Sequence, residues 1–459
     1  MQKRFLALGL LFSSVLVSSC HHSSRRRASS PDSIATLKRE LADSVRQEFR
    51  YAWQAYVRYA WGHDMLKPIS RSYADWYSRS LEMTPVDGFD TMLIMGLSAE
   101  ADSARKLILD SLRFDVDAPV SVFETTIRLV GGLESAYEMD GDKRFLSLAR
   151  DLAGRLIRAY DTPTGLPRRF INLKTGKASG DTTDAAQAAT ALLELGTLSR
   201  LTGDSAYYRI AKRAVEAVYS RRSPVTGLVG NGIDVVTGKW VSGESSISAG
   251  TDSYYEYLLK GWKLFGDQDC RRMWDSSILA VNRHLADTAG GTLWYGHARM
   301  DTGVVTRPVY GALDAFFAGT LAMGGDTARA ASLQASNLRM WRLAGLEPEV
   351  MNYRTGEILN GYYALRPENL ESCYYLYHYT GDSKYLYMGA EMFRDLVRYC
   401  RTLGGYAAIK DVRNMVPDDV MESFFLAETL KYAYLLFAPA KTLDFDKVVF
   451  NTEGHPLKR

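Results

Sequence analysis

Several acidic residues of this chain stand among apolar and aromatic neighbours, where a carboxyl group can be tuned as an acid, a base or a cation ligand. Glu124 lies in Val120–Arg128 (VSVFETTIR), and Arg128 follows it at i,i+4 on one helical face. Asp252 and Glu256 share a face in DSYYEY, among three tyrosines. With no cation expected beside them, such a pair needs a proton, a metal or a sugar. Glu368 and Glu371 follow Pro367 at a predicted helix start, whose dipole favours the ionised carboxylate that a general base requires. Glu422 and Glu428 flank SFFLA, and the tail reads FNTEGHP from Phe450. Each has an ordinary reading alone: a surface ion pair, an outward polar stripe, a helix-start charge preference. Carried together on inner helices of one fold, they suggest a sugar cavity, because glycosidases set two carboxyl groups across the scissile bond. No P-loop, GxSxG or HExxH is present, and seven histidines leave little for a histidine-based site.

The elements that must position these groups show a repeat. A Gly-Asp pair recurs at 141, 203, 266, 325 and 381, with steps of 62, 63, 59 and 56 residues. Glycine suits the left-handed residue that ends one helix, and aspartate caps the next. A unit of ~60 residues with two helices is a helical hairpin with a long return loop, which hides its apolar face by stacking on its neighbours. Further helical segments are predicted at 35–62, 88–113 and 418–437, room for about two more units. Closing the array gives an all-α toroid with a central cavity; an open solenoid is the other geometry. Turn sequences such as TPTG from Thr162 and PVTG from Pro224 predict short β-hairpins at one mouth. No linker divides residues 35–459, so one domain is expected.

The 459 residues are 46% hydrophobic and 24% charged, which is globular composition. A net charge of +3 offers no basic field, so nucleic acid is excluded as an expected partner. Residues 1–19 read as a signal: Lys3 and Arg4, an apolar run from Phe5 to Val17, then VSS before Cys20. This resembles a bacterial lipoprotein signal, so Cys20 is expected to carry lipid and residues 20–34 to form a tether at a membrane surface, on its periplasmic or outer side. His21 and His22 fall in that tether. The remaining cysteines, Cys270, Cys373 and Cys400, have no zinc spacing and are expected as buried thiols.

Longer segments carry a resemblance. YAWGHDMLKPIS from Tyr59, VDGFDTMLIMGL from Val86, VSVFETTIRLVGGLESAY from Val120, DSYYEYLLK from Asp252, LRPENLES from Leu365, MESFFLAETLKY from Met421 and FNTEGHPL from Phe450 are similar to the class I α-1,2-mannosidases, glycoside hydrolase family 47, and stand in that family's order. The resemblance implies an (α/α)7 barrel, inverting removal of terminal α-1,2-linked mannose from an oligosaccharide or N-glycan, and a calcium ion at the barrel floor. It implies that Glu124 is the acid acting through water, Glu368 the general base, and Asp252 a third carboxylate, either acid or auxiliary. Arg128, Glu371, Phe424, Glu428 and Glu453 match positions lining the sugar subsite or holding calcium-bound waters, and Thr452 matches the direct calcium ligand. A monomer is expected. Two departures stand out: Gly250 where the endoplasmic-reticulum enzymes carry Arg, and ALDAF at 312–316 where they carry a His-Leu-x-Cys-Phe stretch. Both look more like the degradation-enhancing mannosidase-like proteins of the family. The competing reading is a non-catalytic glycan-binding surface lipoprotein, which would have no need of both acid and base.

Overall fold

The structure, a computed structural model, describes residues 31–459. The expected signal, Cys20 and the tether through residue 30 lie outside the described residues. Helix α1 spans Pro31–Tyr59, so residues 31–34 belong to a helix and not to a tether. Ile34 and Leu37 continue the stripe of Leu41 and Val45 and pack on the core, which extends the helix back to its proline.

The helices that follow are α2 (Met83–Met95), α3 (Ser98–Ser111), α4 (Val122–Glu124), α5 (Gly131–Asp140), α6 (Lys143–Leu156), α7 (Ala185–Ala189), α8 (Leu192–Thr202) and α9 (Ser205–Ser220). Then come α10 (Asp252–Phe265), α11 (Gln268–His284), α12 (Phe317–Met323), α13 (Thr327–Trp341), α14 (Glu368–Thr380), α15 (Lys384–Cys400) and α16 (Leu430–Phe437). Helices α2, α5, α8, α10, α12, α14 and α16 form an inner ring, and the π-helical turn Phe425–Thr429 ahead of α16 meets α2. The inner helices are buried nearly all round; every residue of α16 is buried. The outer helices bury a single stripe, such as Phe145, Ala149, Leu152, Ala153 and Leu156 of α6. Helix α1 packs on α16, so the two ends of the chain make the seventh pair and close the ring. The (α/α)7 barrel stands, and the open solenoid does not.

The Gly-Asp turns are built as their chemistry predicts. Gly141, Gly203, Gly266 and Gly381 end their helices in the left-handed conformation. Asp142, Asp204, Asp267 and Asp326 cap the helices that follow. At the fifth turn Ser383 occupies the cap, yet Asp382 still accepts the Lys384 amide at 2.9 Å. Two helix boundaries differ from expectation. The 88–113 segment is two helices broken at Gly96, whose φ is 68°. In 418–437, regular helix starts only at Leu430, after the π turn.

Eight small antiparallel sheets join the pairs. All but one precede an inner helix and therefore sit at the end where the inner helices begin. The exception, Val448–Phe450 paired with Pro456–Lys458, follows α16 and enters the barrel from the opposite end. Cys270, Cys373 and Cys400 are free and buried. Among the described residues no helix is long and apolar enough to cross a membrane.

Candidate active site

The structure brings all nine expected site residues to one cavity of about 320 Å³, at the end where the inner helices begin. Glu124 closes α4, Asp252 opens α10 and Glu368 opens α14. Thr452 and Glu453 reach it from the loop of the C-terminal β-hairpin.

Two π-helical turns shape the walls, Thr125–Val130 and Phe425–Thr429. A π turn is rare and inserts one extra residue, which re-aims the side chains around it. Arg128 sits in the first. Its Nε donates to Glu124 Oε2 at 3.0 Å, and its Nη1 contacts Glu453 and, at 3.5 Å, Asp87. Arg128 and Glu453 are buried while Glu124 is part-exposed, so the Glu124–Arg128 pair belongs to a network in the cavity wall and is not an isolated surface ion pair. Arg366 makes a forked contact with Glu349 at 2.6 and 3.2 Å and lies 3.8 Å from Glu368. Phe424 stands between the two guanidinium groups, 5.7 Å from Arg128 and 5.8 Å from Arg366, so its ring is a fixed apolar wall. Leu365, just before this stretch, holds a left-handed backbone with φ 64° and is pinned by Thr429 Oγ1 donating to its carbonyl at 2.7 Å. Such strain persists only where packing imposes it.

The floor is organised by Asn451. Its amide nitrogen donates to Ile127 O and to Glu194 Oε1, both at 2.9 Å. Its amide oxygen accepts the Glu453 and His455 backbone N–H groups at 3.0 and 2.8 Å. Tyr257 donates to Glu194 at 2.6 Å and accepts the Thr452 amide at 3.1 Å. The hairpin reaches this depth because Gly131 has no side chain; a Cβ there would come within 2.5 Å of the Asn451 amide nitrogen. His455 lies 2.7 Å from Asp90 and 3.3 Å from Asp87, and Asp90 also pairs with Lys431 at 2.7 Å. Burial disfavours a charged imidazole, but Asp90 and Asp87 outweigh it and lift His455 to about 9. Its stabilisation is therefore complete below the unfolded value of ~6.5 and is lost as pH rises through about 9. His455→Ala leaves two buried carboxylates without this partner and should cost about 3–5 kcal/mol, read as a lower melting temperature. An unchanged melting temperature would remove His455 from the anchoring role.

Burial dominates the carboxylates. It lifts Glu368 to about 7, against the pull of Arg366, so desolvation overrides the helix-dipole expectation that this residue would ionise easily. Burial, then Asp184, Glu256 and Asp314, lifts Asp252 to about 8. Burial raises Glu371 and Glu453 to about 8 as well, and it pushes Glu428 well above the usual carboxylate range. The expectation of a cation-free Asp252–Glu256 pair fails at Glu256, which pairs with Lys260 one turn on. Eight carboxylates line the cavity (Glu124, Asp184, Asp252, Glu256, Glu368, Glu371, Glu428 and Glu453) against two guanidinium groups, Arg128 and Arg366. The Thr452 hydroxyl makes no hydrogen bond among the described residues, while its backbone is held by Tyr257. A surplus of carboxyl over cationic groups and an all-oxygen donor set suit a hard cation such as calcium, which would take the place of the protons that burial holds there. No group of three His, Cys, Asp or Glu side chains among the described residues could ligate a metal by itself. The residues therefore fit a cation held at Thr452 with water filling its shell.

Sequence reasoning gave no role to Arg366, Asp184 or Gln187, which also line the cavity. Arg366 stands two residues before Glu368, and that proximity was the available signal. Gly250 lines the mouth with φ 90°, and a Cβ there would meet Asn231 Oδ1 at 2.2 Å.

A closed double ring of seven helix pairs around an acidic, sugar-sized cavity defines the (α/α)7-barrel glycoside hydrolases. Residues 48–459 match glycosyl hydrolase family 47, and the chain belongs to that family. It is 37% identical to alpha-mannosidase I MNS5 of Arabidopsis thaliana, over 93% of this chain and 78% of the relative. It is 36% identical to the human ER degradation-enhancing alpha-mannosidase-like protein 2, over 94% of this chain and 79% of the relative. Among solved structures, alpha-1,2-mannosidase from Trichoderma reesei matches with a TM-score of 0.85 at 28% identity, covering 92% of this chain and 99% of that one.

Proposed function

We propose that this protein is an inverting, calcium-dependent exo-mannosidase that removes terminal α-1,2-linked mannose from mannose-rich glycans. The observation that carries the reading is the convergence of Asp252, Glu124 and Glu368 with Thr452 on one buried cavity. Asp252, lifted to about 8, keeps its proton at neutral pH, as a general acid must. Glu368, at about 7, is ionised in a large share of molecules at that pH, as a general base must be. Glu368 accepts a proton from water as the water oxygen bonds to C1. The bond from C1 to the glycosidic oxygen breaks, and that oxygen takes a proton from Asp252, or from Glu124 through water. The released sugar is β-mannose. Phe424 and the Arg128 network hold the sugar's place, and Glu371, Glu428 and Glu453 accept from its hydroxyls or from ordered water. Calcium bound at Thr452 would supply a positive centre for water and sugar hydroxyls.

The direct test is incubation with α-1,2-mannobiose, with and without a chelator. EDTA is expected to abolish hydrolysis and added calcium to restore it; full turnover in a metal-free preparation would sink the calcium reading. Gly250 puts no side chain into the mouth, so the protein is expected to trim α-1,2-mannose from more than one glycan branch. A branch-resolved time course checks this, and removal of one residue from one branch, with the rest untouched at long times, would overturn it.

The signal-like start and Cys20 support a further proposal, an exported protein anchored by lipid on Cys20; we propose separately that it acts as a monomer. Cys20→Ala should release it from membranes into the soluble fraction. Retention of the variant in the membrane would contradict the anchor, and a dimer by light scattering would contradict the monomer.

A further inference from the structure

We propose that Arg169, oriented by Gln187 and Asp184, contacts the sugar on the leaving-group side of the scissile bond. This rests on the mannosidase reading above. Asp184 and Gln187 line the cavity, and Arg169, hydrogen-bonded to both, has 42% of its side chain exposed. The three groups form one hydrogen-bonded network. Arg169 Nε donates to Gln187 Oε1 at 3.0 Å, and Nη2 donates to Asp184 Oδ2 at 3.2 Å. Gln187 donates through its side chain and its backbone to the two Asp184 oxygens, each at 2.8 Å. Both Asp184 oxygens are used, so Asp184 positions the others. The remaining N–H groups of the Arg169 fork are donors suited to sugar hydroxyl oxygens.

The place of this network sets its role. The Arg169 carbonyl accepts the Val122 amide at 3.0 Å, which ties it to the segment delivering Glu124. The adjacent strand, Phe170–Asn172, pairs with Pro119–Ser121 in the same segment. On the other side, the Ala186 amide donates to the Gly250 carbonyl at 3.0 Å, which ties Gln187 to the turn delivering Asp252. The network therefore lies between the two candidate proton donors. Whichever of them protonates the glycosidic oxygen, the sugar hanging from that oxygen lies beside it. The penultimate mannose is common to all α-1,2-linked ends, so this contact reads the linkage and leaves branch choice open.

The test compares two substrates that share the reacting mannose. α-1,2-Mannobiose has a leaving sugar; α-mannosyl fluoride leaves only fluoride. Arg169→Ala is expected to lower kcat/KM for the disaccharide by roughly ten- to a hundredfold, the worth of one charged hydrogen bond, with the fluoride unchanged. Arg169→Lys, which keeps the charge and loses the fork, should fall between. Equal losses on both substrates would show a structural role and overturn the contact, as would no loss on either. Wild-type turnover of neither compound would remove the mannosidase reading, and this contact with it.

Discussion

Replacing Glu368 by glutamine is expected to lower turnover by ~10²-fold or more, the scale of a lost general base, while substrate still binds. Glutamine keeps the shape of the side chain but cannot take a proton from water. The contact with Arg366 at 3.8 Å is long, and Glu368 Oε2 has no partner, so little structure depends on the charge. The check is a split measurement: kcat by product release, and binding to the variant by calorimetry. The native protein should release β-mannose first, visible in early NMR spectra. Near-normal turnover in the variant would take the base role from Glu368, and α-mannose at first release would rule out inversion.

Removing residues 448–459 is expected to abolish activity and to leave the rest unable to hold its fold. The deletion removes Thr452 and Glu453 from the cavity and His455 from Asp87 and Asp90. It also strips out Val448, Val449, Phe450 and Leu457, all buried. At ~1.5–3 kcal/mol per buried apolar side chain, those four alone are worth about 6–12 kcal/mol as an upper bound. That is comparable to the whole stability of a typical domain, ~5–15 kcal/mol. Soluble yield and circular dichroism on heating would register the loss. A soluble truncated chain with the native melting temperature would show that the barrel closes without its floor.

How much of this was legible in the sequence depended on how local the physics is. The Gly-Asp turns could be read directly, because capping is decided by a residue and its next few neighbours. The break at Gly96 was missed, since a lone glycine inside an apolar pattern carries no capping aspartate after it. Both π turns were invisible, because they follow from how the inner ring packs and not from any residue type. Lys260 was present at four residues from Glu256 and was overlooked as its partner. The acidity of Glu368 was misjudged for a physical reason: a dipole at a helix start is a local feature, while the burial that outweighs it is contributed by the whole barrel. Thr452 and Glu453 were placed only through family resemblance. Asn451 is held by Ile127 and Glu194, far away in sequence, and no short spacing can encode that.

Ring closure by α1 against α16 also dictates an order of events during synthesis. Helix α1, the first among the described residues, cannot meet its partner until Leu430–Phe437 has emerged, and the cavity floor follows later still. At ~5–20 residues per second, the apolar stripe of α1 waits on the order of 20–80 s without its neighbour. Neighbouring hairpins can stack as they appear, but closure belongs to a finished polypeptide. A growing chain of this kind exposes sticky surface for its whole time on the ribosome, so a holding chaperone that covers α1 should raise its yield. A circular permutant opened at Gly203-Asp204, with residues 459 and 31 joined by a flexible linker, would bring α1 and α16 out in succession and should shed that dependence.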